Sequence, residues 1–175
     1  MSATASKQHG SLTVAIIGAG QAGRSLAAEA VRAGHRVVLE DVLPSRLRDA
    51  LEEISVEGQP GTLEFATEVE NAVRDADLAI DFVPDELESK LEIVSLLDRM
   101  APPKTVFCIP TRVLSVDDLA SCTYRADQFV SVEYSELTAS VIGSSLCSHE
   151  AVELAVMFWR SVGRVTDVHG AEVRV

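Results

Sequence analysis

The sequence predicts an α/β fold, doubly wound, with a mostly parallel sheet covered by helices on both faces. Three observations carry this expectation. Five short apolar runs rich in β-branched residues, at 12–17, 36–40, 78–83, 105–109 and 129–134, have the length of strands. Stretches between and after them, at 21–33, 45–55, 68–75, 85–100 and 148–162, place apolar residues three and four positions apart, the spacing of one helix face. Strands that alternate with helices are joined by right-handed crossovers, which puts helices on both sides of a parallel sheet.

Taken in order, residues 1–11 are small and polar and read as a flexible N-terminal tail, with 12–175 a single domain free of repeats and linkers. "LTVAII" opens the sheet and runs into a glycine-rich turn before the helix at 21–33; "RVVLE" is the second strand. On the helix at 85–100, either Leu87, Leu91, Val94 and Leu97 or Leu91, Ile93, Leu97 and Met100 face the core, with Glu86, Glu88, Lys90 and Glu92 on a solvated outer face. The last helix starts at Ser148 as N-cap and presents Val152, Leu154, Ala155, Phe158 and Trp159, chiefly as core. "VTDVHGAEVRV" then reads as two short strands around His169-Gly170, a hairpin or an edge that pairs across a twofold axis.

Composition narrows the function. Hydrophobic residues make up 47% and charged residues 24%, as in folded globular chains. A net charge of -12 gives a surface that repels phosphate backbones and anionic lipid heads, so neither nucleic acid nor a membrane is an expected partner. No apolar run approaches the ~20 residues of a membrane span, and the N-terminus lacks the pattern of a secretory signal. Cys108, Cys122 and Cys147 form no C-x-x-C pair, which suits reduced thiols in a cytoplasmic protein. His9, His35, His149 and His169 are scattered and none stands at ligand spacing from a Cys, so no metal site is expected.

The chemistry-bearing signal is "VAIIGAGQAGRSLA", in which Gly18, Gly20 and Gly23 form G-x-G-x-x-G between a strand and a helix, with Gln21 and Ala22 in the turn. Gly18 permits the tight turn, Gly20 lets backbone approach a pyrophosphate, and Gly23 lets helix and strand pack closely, while the helix N-terminus offers oriented N–H donors. Such glycines also serve a bare strand-turn-helix. The acid of "LED" favours the ligand reading: Asp41 stands eighteen residues past Gly23, near the ~20 expected of the carboxylate that holds the ribose hydroxyls of NAD. A carboxylate there repels the extra phosphate of NADP, although Arg46 and Arg48 follow closely. A Rossmann-type domain binding NAD is the expectation.

"VAIIGAGQAGRSLAAEAVRAGHRVVLEDVLPSRL" and "DADLAIDFVPDELESK" resemble the NAD-binding domain of 3-hydroxyacyl-CoA dehydrogenases, from about Leu12 to Val168. The resemblance implies that the acid and lysine after the fourth strand, here Asp85 and Lys90, lie beside the cofactor and its nicotinamide ribose; Val83, Pro84 and Thr111 are further cofactor-binding candidates. It gives His35 a structural place. It also exposes departures. Where the family shows a Ser-Asn-Thr-Ser-Ser-Leu run, this sequence has Ile109, Pro110, Thr111, Arg112, Val113 and Leu114, and Pro110 cannot replace the hydrogen bonds of the Asn. Arg112 offers a guanidinium suited to a carboxylate or phosphate, or is simply a solvent-facing loop residue.

The family's general-base His and its orienting Glu are missing as such. In "FVSVEYSELTAS", Glu133 stands at the His, Glu136 at the neighbouring Asn and Ser140 at the orienting Glu. Glu133 becomes the candidate base if its surroundings raise its affinity for protons, with Tyr134 beside it; otherwise these acids are exposed residues at a strand end. The family's CoA-binding helical hairpin is absent between the second helix and third strand. Its C-terminal helical domain would begin about where "VGRVTDVHGAEVRV" ends, so a second wall is expected from another copy or a partner protein. The expected function is an NAD(H)-dependent oxidoreductase module with altered or incomplete chemistry on a small-molecule CH-OH substrate, with Arg112 and Glu133 as catalytic candidates and a homodimer as its assembly. The alternative is a catalytically silent NAD(H)-binding regulatory or partner subunit.

Overall fold

The computed structural model describes residues 10–170. Most of the expected tail, and residues 171–175 of the expected C-terminal hairpin, lie outside the described residues. The chain runs β1 (Thr13–Ile17), α1 (Gln21–Arg32), β2 (Arg36–Glu40), α2 (Pro44–Glu53), β3 (Thr62–Ala66), α3 (Val69–Val73), β4 (Leu78–Asp81), α4 (Leu87–Met100), β5 (Val106–Pro110), α5 (Val116–Ser121), β6 (Phe129–Tyr134), β7 (Thr138–Gly143), α6 (His149–Ser161) and β8 (Val165–Gly170). One sheet holds all eight strands in the order β3-β2-β1-β4-β5-β6-β7-β8. Every pairing is parallel except β6 with β7. The expected doubly wound α/β sheet is present.

Two apolar layers sandwich the sheet. Leu26, Ala30, Leu47, Ala155, Phe158 and Trp159 bring α1, α2 and α6 onto one face. Val73, Ile93, Val94, Leu97 and Leu119 bring α3, α4 and α5 onto the other. Central strands such as β4 are buried on both sides and therefore read as unbroken apolar runs. Strand order reverses between β1 and β4, and a crevice opens there at the C-terminal strand ends, where doubly wound folds hold ligands.

Three elements had no sequence signal. β3 is the edge strand and largely exposed, so "TLEFA" needs no apolar run. β7 follows β6 through a turn at Ser135 to Leu137 that contains no Gly, Pro or Asn; the Ser135 hydroxyl accepts from the Leu137 and Thr138 amides instead. The third is α5, a short helix capped by Ser115, whose hydroxyl accepts from the Asp118 amide.

His169 and Gly170 belong to β8, which keeps parallel register with β7 from Thr138 opposite Val165 to Gly143 opposite Gly170; the second arm of the expected hairpin falls in residues outside those described. One expectation is corrected. On α4, Lys90 faces inward and is 1% exposed, whereas Leu87 lies outside and Met100 sits at the margin. The reason is Asp81, an acid at the end of a fully buried strand, which draws the ammonium in.

Candidate functional site

The turn after β1 is built as its glycines foretell. Gly18 adopts φ +101°, a conformation L side chains avoid, and donates its N–H to the Glu40 carbonyl at 2.8 Å. At Gly23 a Cβ would stand 1.9 Å from the Gly18 carbonyl oxygen, so that glycine is required by packing. Gly20 differs: a Cβ there would meet nothing within 4 Å, so the bare backbone faces open space. Gly20 is also the N-cap of α1 and supplies no side-chain acceptor, which leaves the first-turn N–H groups of Gln21, Ala22 and Gly23 for an anion.

Cavities flank this turn. The first, of about 330 Å³, is bordered by Gly18, Asp41, Val42, Arg46, Val83 and Pro84, and reaches Glu40 at the end of β2. The second, of about 770 Å³, is bordered by Ala22, Asp81, Asp85, Lys90, Thr111 and the β6 end. Phe82 and Val83 line both, so the two spaces meet at the crevice beside the glycine turn. A bent two-part ligand with a central diphosphate fits this arrangement.

Asp41 sits in the wall of the smaller cavity. Its Oδ2 accepts from the Ala19 amide at 2.9 Å and from Arg46 Nη1 at 3.3 Å, and its Oδ1 accepts from the Leu43 amide at 2.9 Å. Burial pushes its carboxyl up, but the two amides and the guanidinium outweigh that and hold it below the usual carboxylate range. Asp41 is therefore a fixed anion that also ties β2 to the glycine turn. Of the flanking arginines, Arg46 pairs with it.

The larger cavity gathers the other expected residues. Asp85 Oδ1 accepts from Thr111 Oγ1 at 2.6 Å and its Oδ2 from the Arg112 amide at 2.9 Å, clasping the loop after β4 to the loop after β5. Lys90 borders the cavity from below, but its Nζ donates to Asp81 Oδ1 at 2.7 Å. Burial pushes the Asp81 carboxyl up while the Lys90 ammonium pulls against it. Arg112 is exposed and its Nη2 donates to the Tyr134 carbonyl at 3.2 Å. Glu133 is exposed at the mouth, directly opposite Ser140 across β6 and β7. Ser140 Oγ in turn donates to Asp167.

His35 is away from both cavities, immediately before β2 at the opposite end of the strands from the crevice. It is buried, its Nδ1 accepts from the Leu12 amide, and its Nε2 pairs with Ser161 Oγ at 2.7 Å, a structural role.

Sequence reasoning missed several residues of the site. Asp81 was signalled by a charge inside "LAIDFV", which demands a buried partner. Glu40 was signalled by the second acid of "LED". Tyr134, already named beside Glu133, stacks on Trp159 with centroids 4.8 Å apart, and Arg164 bonds Glu29 over that same ring; Arg164 and Glu29 had no local signal because 135 residues separate them.

Fold and turn together define a Rossmann-type dinucleotide-binding domain. Comparison with known proteins makes this specific: the model of the 3-hydroxyacyl-CoA dehydrogenase NAD binding domain matches residues 13–170, and the chain belongs to that family. Hydroxyacyl-coenzyme A dehydrogenase, mitochondrial, of Homo sapiens is 26% identical over 177 residues, covering 86% of this chain and 56% of that protein. L-carnitine dehydrogenase of Nocardiopsis dassonvillei is 28% identical over 169 residues, covering 87% and 51%. The chain thus spans about half the length of these relatives. Among solved structures, the 3-hydroxyacyl-CoA dehydrogenase of Archaeoglobus fulgidus superposes with a TM-score of 0.79 at 28% identity, covering 92% of this chain and 57% of that one. The NAD+-dependent 5-formyl-3-hydroxy-2-methylpyridine 4-carboxylic acid 5-dehydrogenase shares the fold, with a TM-score of 0.80 at 24% identity, covering 91% and 57%. The cofactor of this domain is NAD. Among the described residues, no helix is long and apolar enough to cross a membrane.

Proposed function

We propose that this chain is the cofactor-binding part of an NAD-dependent oxidoreductase acting on a CH-OH group, with a proton acceptor other than the family's His-Glu pair. The carrying observation is the 770 Å³ cavity on the α4 and β6 side of the glycine turn, which leaves room for a substrate beside the nicotinamide. NAD supplies the hydride acceptor. The chain's own part is to bind, orient and deprotonate: Glu133 takes the hydroxyl proton, and Arg112 holds an anionic group of the substrate. Gly18, Gly20, Gln21, Ala22 and Gly23 hold the diphosphate, Asp41 the adenosine ribose, Pro84 the adenine side, Val83 the junction of the two cavities, and Asp85, Lys90 and Thr111 the nicotinamide side.

The proposed assembly is a homodimer in a cytoplasmic setting. It is supported by β8, the last strand of the sheet, whose Val165 and Val168 are exposed, and by Leu154 and Met157 of α6 alongside. Light scattering at micromolar concentration tests it; a monomer overturns it.

The function is tested by following NAD+ reduction with hydroxyacyl-CoA thioesters and free hydroxy acids. Turnover that falls at least a hundredfold in Glu133→Gln supports the reading. Turnover unchanged in that variant removes Glu133 as base, and no turnover with any substrate favours an NAD(H)-binding regulatory or partner subunit.

A further inference from the structure

Glu40 ends β2 on the face of the sheet that carries α3 and α4 and forms the floor of the 330 Å³ cavity. It is 3% exposed, and its Oε1 is buried without a hydrogen-bond partner among the described residues. Folding ordinarily avoids such a group, because a buried polar atom without a partner forfeits the hydrogen bonds water gave it. Its next neighbour in the chain, Asp41, satisfies its carboxylate with two amides and an arginine, so the contrast between them is local and sharp. The cavity above Glu40 is walled by Val42, Val69, Val83, Pro84, Ile93 and Leu96, apolar surfaces that suit a flat ring.

Resting on the dinucleotide reading above, we infer that Glu40 selects the base of the dinucleotide, its neutral carboxyl accepting from the exocyclic amine of adenine and donating to the adjacent ring nitrogen. A carboxylic acid presents one donor and one acceptor side by side, the pattern with which a glutamine amide reads the same edge of adenine. Burial, with Asp41 adding to it, pushes the Glu40 carboxyl up to about 7, so the neutral form is held through mildly acidic pH. The other charged groups facing this cavity are Asp41, Arg46 from α2 and Glu92 from α4; α3 contributes Val69 and no charge. Arg46 is engaged by Asp41. Ionisation of Glu40 removes the donor and sets a carboxylate against a ring lone pair, so dinucleotide affinity falls as pH rises through 7.

The test titrates the full chain with NADH and with its 1,N6-etheno derivative, whose base has no N–H to donate, following nicotinamide fluorescence. Wild type, Glu40→Gln and Glu40→Val are compared at pH 6 and 8.5. Wild type and Glu40→Gln are expected to prefer NADH over the etheno compound about tenfold more than Glu40→Val does at pH 6. The valine variant controls for the bulk of the etheno bridge. Wild-type affinity for NADH is expected to drop several-fold by pH 8.5, and that of Glu40→Gln to stay level. An equal preference in all three proteins, or a wild-type profile as flat as that of Glu40→Gln, overturns the inference while NADH still binds. Failure of NADH to bind wild type at either pH overturns the dinucleotide reading itself, and this inference with it.

Discussion

Asp81 and Lys90 form an ion pair 2.7 Å long beneath the larger cavity, with neither side chain more than 2% exposed. Asp81 comes from the end of β4 and Lys90 from the first turn of α4, so the pair fixes how that helix departs from the sheet and how the loop carrying Val83, Pro84 and Asp85 lines the crevice. Asp81 Oδ2 is buried without a partner among the described residues, so the pair cannot spare Lys90.

Removing one member strands the other charge. Lys90→Met is expected to cost about 3–5 kcal/mol, and Asp81→Leu a similar amount, whereas the double variant recovers most of the loss because nothing charged is left buried. Urea unfolding of the four proteins checks this. A double variant as unstable as the sum of the singles would show that packing, not charge pairing, holds α4.

Two glycines of one motif are expected to separate fold from function. Gly23→Ala forces a Cβ onto the Gly18 carbonyl and should lower stability by at least about 2 kcal/mol. Gly20→Ala meets nothing within 4 Å and should stay within about 1 kcal/mol of wild type, while losing at least about tenfold in NADH affinity because the methyl group occupies the approach to the backbone. Thermal melts beside fluorescence titrations distinguish the two effects.

Glu40 gives the domain a pH-dependent stability whose sign follows from its raised proton affinity. The folded carboxyl titrates at about 7 and the unfolded one near its ordinary 4.5, so between those values the folded state holds the extra proton. Stability from this group is complete below 4.5 and lost as pH rises through 7. Glu40→Gln should match wild type near pH 4.5 and exceed it by on the order of 3 kcal/mol at pH 8.5. Melting temperatures across that range read the difference; a constant offset would mean Glu40 does not titrate as its burial demands.

Asp41 should govern the choice between dinucleotides. Its carboxylate is held ionised by the Ala19 and Leu43 amides, so it repels a 2′-phosphate at any pH above its depressed titration. Asp41→Asn is expected to narrow the preference for NADH over NADPH by at least about tenfold, with Arg46 released to meet the phosphate. Competitive titration of the two reduced dinucleotides measures it.

The parts legible in the sequence were those written locally. Five buried strands announced themselves as apolar runs, the glycine spacing gave the turn, and Ser148 gave the cap of α6, where its hydroxyl accepts from the Ala151 amide. What could not be read depended on partners far along the chain. Lys90 looks like a surface residue among Glu86, Glu88 and Glu92 until Asp81, nine positions earlier, is known to be sealed in β4. β3 and β7 owe their strand state to neighbours: β3 pairs with β2 at an exposed edge, and β7 is recruited by β6 across a turn of ordinary residues. Glu133 and Ser140 stand opposite each other in the β6 and β7 register, a pairing that depends on the unpredicted strand β7 and so could not be read along the chain.

The most direct test is a fluorescence titration of NADH into the wild-type chain and into Gly20→Val. Saturable binding by wild type, weakened at least a hundredfold in a Gly20→Val protein that melts like wild type, is the expected result. Absence of binding by wild type, or equal binding by both, would contradict the assignment of the glycine turn as the diphosphate cradle.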